Sequence, residues 1–279
     1  RTTAVALTAC IFLNFEAAAS PLASPWVEAH GAKARLIAGA VTSGGSGEPG
    51  IVAGVAVSMS QGWKTYWRSP GDSGGLPPHF DWSGSVNLAS AKVHYPAPRR
   101  FKDAVGDSIG YSGSVVFPVE IRPEDPAKPV ELRLVFSYGI CREICVPAEA
   151  EMSLLIPPSA TVPESPDVTA ALATVPRGAD ERQPQDPKMN SGEAHLEADR
   201  PKLVLEVEFP EAAASGDVFI EELDGAYVPL PVRVAEQGST VRFEVDLAQG
   251  AESEELRGKT LRVTMVSDAG QSEAYWTVK

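Results

Sequence analysis

Apolar and polar residues alternate along much of this chain with a period of two, the pattern typical of half-buried β-strands. In the first half the alternation is clearest in four segments, with glycine or proline close to their ends: 51–59, 115–121, 130–136 and 152–156. Pro118 interrupts the second segment and predicts an edge strand or a bulge there, because proline cannot donate to a strand ladder. Many short strands with such punctuation predict an antiparallel β-sandwich.

The alternation stops between Pro157 and Gly192, where seven prolines mark a linker. Inside it, Ser165 as N-cap and Pro166 in the first turn predict one short helix that packs against a domain. Alternation returns after residue 194, in segments 203–209, 241–247, 261–265 and 274–278. These segments predict a second, smaller β-sandwich. The expected fold class is therefore all-β, with two antiparallel sandwiches joined by a proline-rich linker.

The N-terminal residues have the pattern of a secretory signal peptide. An apolar segment from Ala4 to Phe15 precedes three alanines at 17–19, which offer a cleavage site of the A-x-A type. Cys10 ends a lipoprotein-like sequence, but apolar residues continue past it, so lipidation is disfavoured. We expect a signal peptide at 1–19, a first domain at 20–158, a linker at 159–192 and a second domain at 193–279. The exported protein is expected to be soluble and periplasmic.

Charge and motif content narrow the function. The net charge of -13 argues against nucleic acid as a partner, since nucleic acid requires a basic surface. Gly-rich phosphate loops, serine nucleophile signatures and paired catalytic carboxylates are not evident, and no cofactor is expected. The aromatic residues between Trp63 and Trp82 favour a core corner over a ligand-binding shelf.

Cys141 and Cys145 are the two cysteines expected to remain after export. In a continuous strand, residues four apart lie about 13 Å from each other, whereas a disulfide requires Cα atoms within about 4.4–6.8 Å. A bond between them therefore requires a turn or a single helical turn between two strands, and Gly139 and Pro147 are the breakers expected to bracket it. An oxidising compartment allows such a bond to persist.

Three roles remain open for this pair. The closed loop of five residues is worth only about 2 kcal/mol in the chain-entropy model, a small gain for a structural staple, and this favours a redox dithiol. The second hypothesis is a structural disulfide in a non-catalytic binding module. Two thiolates with Met59 or Met152 could hold Cu(I), whereas the scattered histidines show no zinc spacing.

Several motifs together resemble one known family. They are G-W-x-x-Y-W-R-x-P-G-D-S-G from residue 62, Y-P-A-P-R-R-F from 95, G-Y-S-G-S-V-V-F-P-V from 110 and Y-G-I-C-R-E-I-C-V-P-A from 138. The region 34–156 is thereby similar to the N-terminal periplasmic domain of the DsbD thiol:disulfide interchange proteins. Within that family it resembles most the ScsB-like branch, which is associated with suppression of copper sensitivity.

The resemblance implies an immunoglobulin-like domain that passes electrons from a membrane-embedded thiol reductase, here a separate chain, to periplasmic thioredoxin-like proteins. It implies that Cys145 attacks the partner disulfide and that Cys141 resolves the intermediate. The family's cap loop, an acid, two aromatics and glycine, falls on residues 103–106, where only Asp103 and the glycine match. Phe101 or Tyr111 is expected to replace the missing aromatics. The spacing C-x3-C is also narrower than in the best-known members.

We expect the fold to survive loss of the disulfide. Reduction, or Cys141→Ser combined with Cys145→Ser, should cost about 2 kcal/mol against a typical stability of about 5–15 kcal/mol. Circular dichroism and urea unfolding of the reduced protein test this expectation. Global unfolding under mild reduction would instead identify the bond as a structural staple.

Overall fold

The computed structural model of the chain describes residues 22–42, 49–103 and 106–279. The predicted signal peptide with Cys10, and the positions Ala104 and Val105, lie outside the described residues. The strands of the first half are, in chain order, β1 (Leu22–Ala23), β2 (Val27–Ala29), β3 (Ala32–Thr42), β4 (Pro49–Met59), β5 (Lys64–Gly71), β6 (His79–Asp81), β7 (Leu88–Val93), β8 (Arg99–Asp103), β9 (Gly106–Ser112), β10 (Ser114–Pro123), β11 (Val130–Cys141) and β12 (Cys145–Ile156).

These strands form two antiparallel sheets that face each other. The first has the order β1-β3-β4-β10-β7, with β2 also paired to β3, and the second has the order β12-β11-β5-β9-β8, with β6 paired to β11. The predicted alternation places one side chain in two between the sheets, for example Phe117 from the first and Phe136 from the second, both about 1% exposed or less. The predicted first β-sandwich is therefore confirmed.

The expectation for Pro118 was wrong. β10 lies between β4 and β7, and its ladder with β4 runs from Ser114 to Ile121 without a break. The carbonyl of Pro118 accepts from the N–H of His94, beyond the last residue of β7. A residue's N–H and carbonyl point to the same side of an antiparallel strand, so the missing N–H faces the place where β7 has ended.

The predicted helix is present as α1 (Pro166–Leu172). The side chain of Ser165 accepts from the backbone N–H of Val168, as expected of an N-cap. Val168 is fully buried against Ile37 and Val52, on the outer face of the first sheet. The helix therefore covers the side of that sheet that faces away from the sandwich core.

The second half of the chain adds seven strands within the described residues: β13 (Lys188–His195), β14 (Lys202–Glu208), β15 (Asp217–Glu222), β16 (Val232–Gln237), β17 (Thr240–Asp246), β18 (Thr260–Val266) and β19 (Gln271–Thr277). They form one antiparallel sheet of order β13-β14-β17-β16 and another of order β15-β18-β19. Leu205, Phe243 and Val263 belong to the core between them. This arrangement is the second sandwich.

The segment predicted as a linker is not structureless. β13 begins at Lys188, within the predicted range 159–192. Arg177 forms a parallel bridge with Ser272 of β19 and an ion pair of 2.7 Å with the fully buried Asp186. The domain boundaries themselves stay predictions. Among the described residues, no helix combines the length and apolarity needed to cross a membrane.

The two sandwiches share an interface on the β5 and β8 side of the first one. Phe219 and Leu230 of the second sandwich are part of the hydrophobic cluster of the first. The ring of Phe219 lies 5.7 Å from that of Trp67 and is 1% exposed. The first core is thus completed by side chains of the second sandwich, and Phe219 follows its contact Trp67 by 152 residues.

Two arginines surround this apolar contact. The guanidinium of Arg68 donates to both carboxylate oxygens of Glu221, at 3.0 and 2.9 Å, and Arg100 donates to both of Asp217, at 2.9 and 2.8 Å. Burial opposes the charge of Arg68, but the hydrogen bond and charge of Glu221 outweigh burial and raise its pKa above the ordinary value. Removing one partner would leave a charge in a partly buried site.

Phe219→Ala should lower the free energy of unfolding by about 3–5 kcal/mol, the range for removing a buried aromatic ring. Urea unfolding followed by tryptophan fluorescence measures the effect. Val232→Ala in the same sandwich is the control, because Val232 is 60% exposed and its loss should cost less than about 0.5 kcal/mol. Equal effects of the two substitutions would contradict a shared core.

Candidate functional site

Cys141 and Cys145 are directly opposite each other at the end of the β11–β12 hairpin and form a disulfide. Three residues, Arg142 to Ile144, make the turn between the strands. The two Cα atoms are 4.2 Å apart, close to the separation of about 4.5 Å of a non-hydrogen-bonded antiparallel pair. The bond therefore requires a turn, as predicted, but a much tighter one.

Gly139 and Pro147 do not bracket the turn. They are partners inside the hairpin ladder, two pairs before the cysteines. The N–H of Gly139 donates to the carbonyl of Leu76, and its carbonyl accepts from the hydroxyl of Thr65, so both groups point away from β12. Pro147 consequently belongs to a non-hydrogen-bonded pair at the free edge of the sheet, where its missing N–H breaks no bond.

The register decides which way the sulfurs point. Cys141 is opposite Lys64 of β5, and opposite residues in a sheet share a face. Ile140 and Tyr138 point to the other face and are buried in the sandwich core. Cys141 itself is 2% exposed, whereas Cys145 is exposed. The disulfide thus joins one buried and one exposed residue on the outer face of the sheet.

Tyr66 is the polar neighbour of both sulfurs. It follows Lys64 by two residues on β5, so it shares the face of the disulfide. Its hydroxyl lies 2.7 Å from Sγ of Cys145 and 2.9 Å from Sγ of Cys141. Disulfide sulfurs carry no proton, so among these three atoms the hydroxyl is the donor. The same hydroxyl is placed to stabilise a thiolate once the bond opens.

Close packing holds the ring of Tyr66 in this position. A Cβ at Gly139 would lie 2.9 Å from Cδ2 of Tyr66 and 2.9 Å from the carbonyl oxygen of Leu76. A Cβ at Gly75 would also collide with this ring. The ring is therefore enclosed between β11 and the loop that contains Gly75 and Leu76, and Tyr66 is only 4% exposed although it lies on the outer face.

The structure separates the residues proposed for the cap loop. Phe101 pairs with Ser108, which accepts from the ammonium of Lys64, and that ammonium lies 5.5 Å from the Phe101 ring centre. Phe101 therefore shares the face of the disulfide, but β5 and β9 lie between its strand, β8, and β11. Asp103 ends β8 opposite Gly106.

Tyr111 lies on the opposite face. It is paired with Thr65, its ring meets Phe117 edge to face in the core, and its hydroxyl donates to the carbonyl of Pro96. Burial raises its pKa well above the ordinary value. The structure thus does not bring Tyr111 to the sulfurs.

The two methionines considered as copper ligands also point away from the disulfide. Met59 and Met152 are buried in the core of the first sandwich, whereas the disulfide is on its outside. Among the described residues there is no group of three or more histidine, cysteine or acidic side chains able to hold a metal ion. The geometry offers the sulfurs no methionine as a third ligand.

The prediction of a core corner for the aromatic segment is confirmed for Trp67, which is 1% exposed and belongs to the core cluster. Tyr66 is the functional residue that this reading missed. Its role depends on the pairing of β5 with β11, between residues more than 70 positions apart. The one sequence signal was that consecutive residues of a strand point to opposite faces, so that either Tyr66 or Trp67 has to face outward.

Comparison with known families decides the identity of the first half. Residues 46–157 match the family model described as "Thiol:disulfide interchange protein DsbD, N-terminal". This region is a DsbD N-terminal-like domain. The Cys141–Cys145 hairpin lies inside the matched range, so the predicted resemblance to DsbD is confirmed. Family and disulfide together support thiol–disulfide exchange as the general chemistry of the site.

Residues 174–279 match a second model, described as a domain of unknown function, DUF8393. Among solved structures, the N-terminal periplasmic domain of ScsB from Proteus mirabilis is similar, with a TM-score of 0.70 and 22% identity. The match covers 93% of this chain and 99% of that one. At this identity the likeness is one of fold, and the predicted immunoglobulin-like all-β fold class is confirmed. The search of curated proteins finds no match.

Tyr66→Phe should raise the lower thiol pKa of the reduced pair by about one unit. A hydrogen bond to a charged group is worth about 1.5–3 kcal/mol, and one pKa unit corresponds to about 1.4 kcal/mol. Thiolate absorbance as a function of pH measures the shift. Tyr138→Phe is the matched control, because Tyr138 is nearby in sequence but faces the core, and it should leave the thiol pKa unchanged. An unshifted pKa in Tyr66→Phe would contradict the assignment.

Proposed function

We propose that this chain is a periplasmic thiol–disulfide exchange protein. In this proposal it relays electrons from a membrane-embedded thiol reductase on a separate chain to exported thioredoxin-like proteins, as one component of a protein-disulfide reductase system. The observation that carries the proposal is the disulfide itself. Cys145 is exposed, Cys141 is buried, and a tyrosine hydroxyl lies within hydrogen-bond distance of both sulfurs.

The exposure difference supports distinct roles for the two cysteines. In the reduced protein, the thiolate of Cys145 attacks one sulfur of the partner's disulfide. A mixed disulfide forms, and the other partner sulfur leaves as a thiolate. The thiolate of Cys141 then attacks Sγ of Cys145, re-forms the intramolecular bond and releases the partner as a dithiol. Two electrons and two protons have passed to the partner, and the membrane reductase returns them.

The surroundings of Cys145 favour a protein partner. Ile144, in the turn, is 73% exposed, and Leu76, in the adjacent loop, is 48% exposed. Exposed apolar side chains beside a reactive sulfur are a feature of docking surfaces. A thioredoxin-like protein has to bring its own cysteine to this sulfur, and these two side chains supply apolar contact around it.

The two competing readings receive less support. A structural staple has no need of an accessible sulfur or of a hydroxyl placed on both sulfurs, and the loop that it closes is short. A Cu(I) site requires a further soft ligand, whereas Met59 and Met152 are in the core. A link to copper tolerance belongs to this proposal only through the resemblance of the sequence motifs to the ScsB-like branch.

We expect Cys141→Ser to accumulate a mixed disulfide with an oxidised thioredoxin-like protein. Its Cys145 can attack, but no second thiol resolves the intermediate. Cys145→Ser should give no adduct, because its remaining thiol is covered. Full-length variants are incubated with an oxidised thioredoxin, quenched with acid, alkylated and analysed by non-reducing electrophoresis and mass spectrometry.

The double serine variant controls for contamination, and dithiothreitol should remove every adduct. Equal trapping by both single variants would overturn the assignment of roles. Failure of the reduced wild-type protein to reduce the thioredoxin, together with no trapping by either variant, would overturn the exchange function itself.

A further inference from the structure

The second sandwich contacts the loop next to the disulfide through Asp72. One carboxylate oxygen of Asp72 accepts from the hydroxyl of Tyr227, at 2.8 Å, and from the backbone N–H of Leu230, at 3.1 Å. Burial and the hydrogen bond to Asp72 raise the pKa of Tyr227 to about 12. The hydroxyl therefore stays protonated and keeps donating over the physiological pH range.

The same loop is fastened to the first sandwich on its other side. The N–H of Ser73 donates to the carbonyl of Asp107, and a Cβ at Gly106 would lie 3.2 Å from the Ser73 nitrogen. The start of β9 and the second sandwich thus enclose the segment at Asp72 and Ser73. Its position is fixed from both sides.

Gly75, three residues after Asp72, packs on the ring of Tyr66. The carbonyl of the next residue, Leu76, accepts a hydrogen bond from the backbone N–H of Gly139 in β11, at 3.0 Å. The next residues on β5 continue the connection, because Trp67 contacts Phe219 and Arg68 pairs with Glu221. Tyr66 is therefore held between two contacts with the second sandwich, one through the loop and one along its own strand.

We propose that the second sandwich is a positioning element for the disulfide, which acts through Asp72 and its loop to hold the Tyr66 hydroxyl against the two sulfurs. This assigns a role to the region that matches a domain of unknown function. The inference rests on the proposed exchange function and names Asp72 and Tyr227 as positioning residues. Neither of them touches the reacting sulfurs.

Substitutions at Asp72 and Tyr227 in the full-length chain test the inference. Asp72→Ala and Tyr227→Phe should each raise the lower thiol pKa of the reduced pair by about 0.5 unit, the scale of coupling within one hydrogen-bonded network. Asp72→Asn keeps an acceptor oxygen for both donors and should restore most of the wild-type value. Tyr275→Phe, at a 61% exposed tyrosine of the same sandwich, should have no effect.

The decisive measurement is the same pair of substitutions in a Tyr66→Phe background. If the second sandwich acts through Tyr66, Asp72→Ala should produce no further shift there. A shift of the same size in both backgrounds would overturn the proposed route. If dithiothreitol reduces the disulfide of the variants faster but their thiol pKa is unchanged, the proposal would also be overturned. The loop would then only shield the disulfide from solvent.

These outcomes are separable from the exchange function. Wild-type protein that reduces an oxidised thioredoxin, together with Asp72 and Tyr227 variants of unchanged thiol pKa, would refute the positioning role alone. Urea unfolding of each variant identifies any that has lost the fold, and the Asp72→Asn and Tyr227→Phe pair keeps the test valid if Asp72→Ala fails to fold.

Discussion

The register of β11 is the constraint on which the site depends. β11 pairs with β12 on one side and with β5 and β6 on the other, and its alternate side chains, from Val130 to Ile140, fill the core. A slip of one residue would turn every core side chain outward and both cysteines inward. Burial of the apolar face therefore fixes the orientation of the sulfurs, and no residue of the turn has to do so.

The strands and the helix could be predicted from the sequence, because the alternation of apolar residues and the positions of glycine and proline are local signals. The core faces of β11, β12 and β17 and the cap of α1 are as predicted. The same local rules were wrong for Pro118, Gly139 and Pro147. Each of these residues is tolerated in its strand because of the backbone hydrogen-bonding partners that the neighbouring chain does or does not place beside it. The positions of these partners are a property of the assembled sheet.

Part of the candidate site could likewise be predicted, and part could not. The cysteine pair is visible in the sequence, and Phe101 shares its face by register. Tyr66 was absent from the prediction because its approach to the sulfurs requires the β5–β11 pairing and two glycines without side chains at the right places. The contact of the second sandwich with Asp72 depends on a packing of domains for which a single sequence gives no periodic signal.

The position of β12 at the edge of its sheet has a consequence for strand-mediated aggregation. A reactive hairpin has to be exposed, yet an exposed edge strand invites another strand to pair with it and aggregate. Within the described residues β12 pairs only with β11. Pro147 removes a donor from its open side, and Glu149 and Glu151 place carboxylates on its exposed face. The chain can thus present its disulfide to a partner while it discourages strand addition beside it.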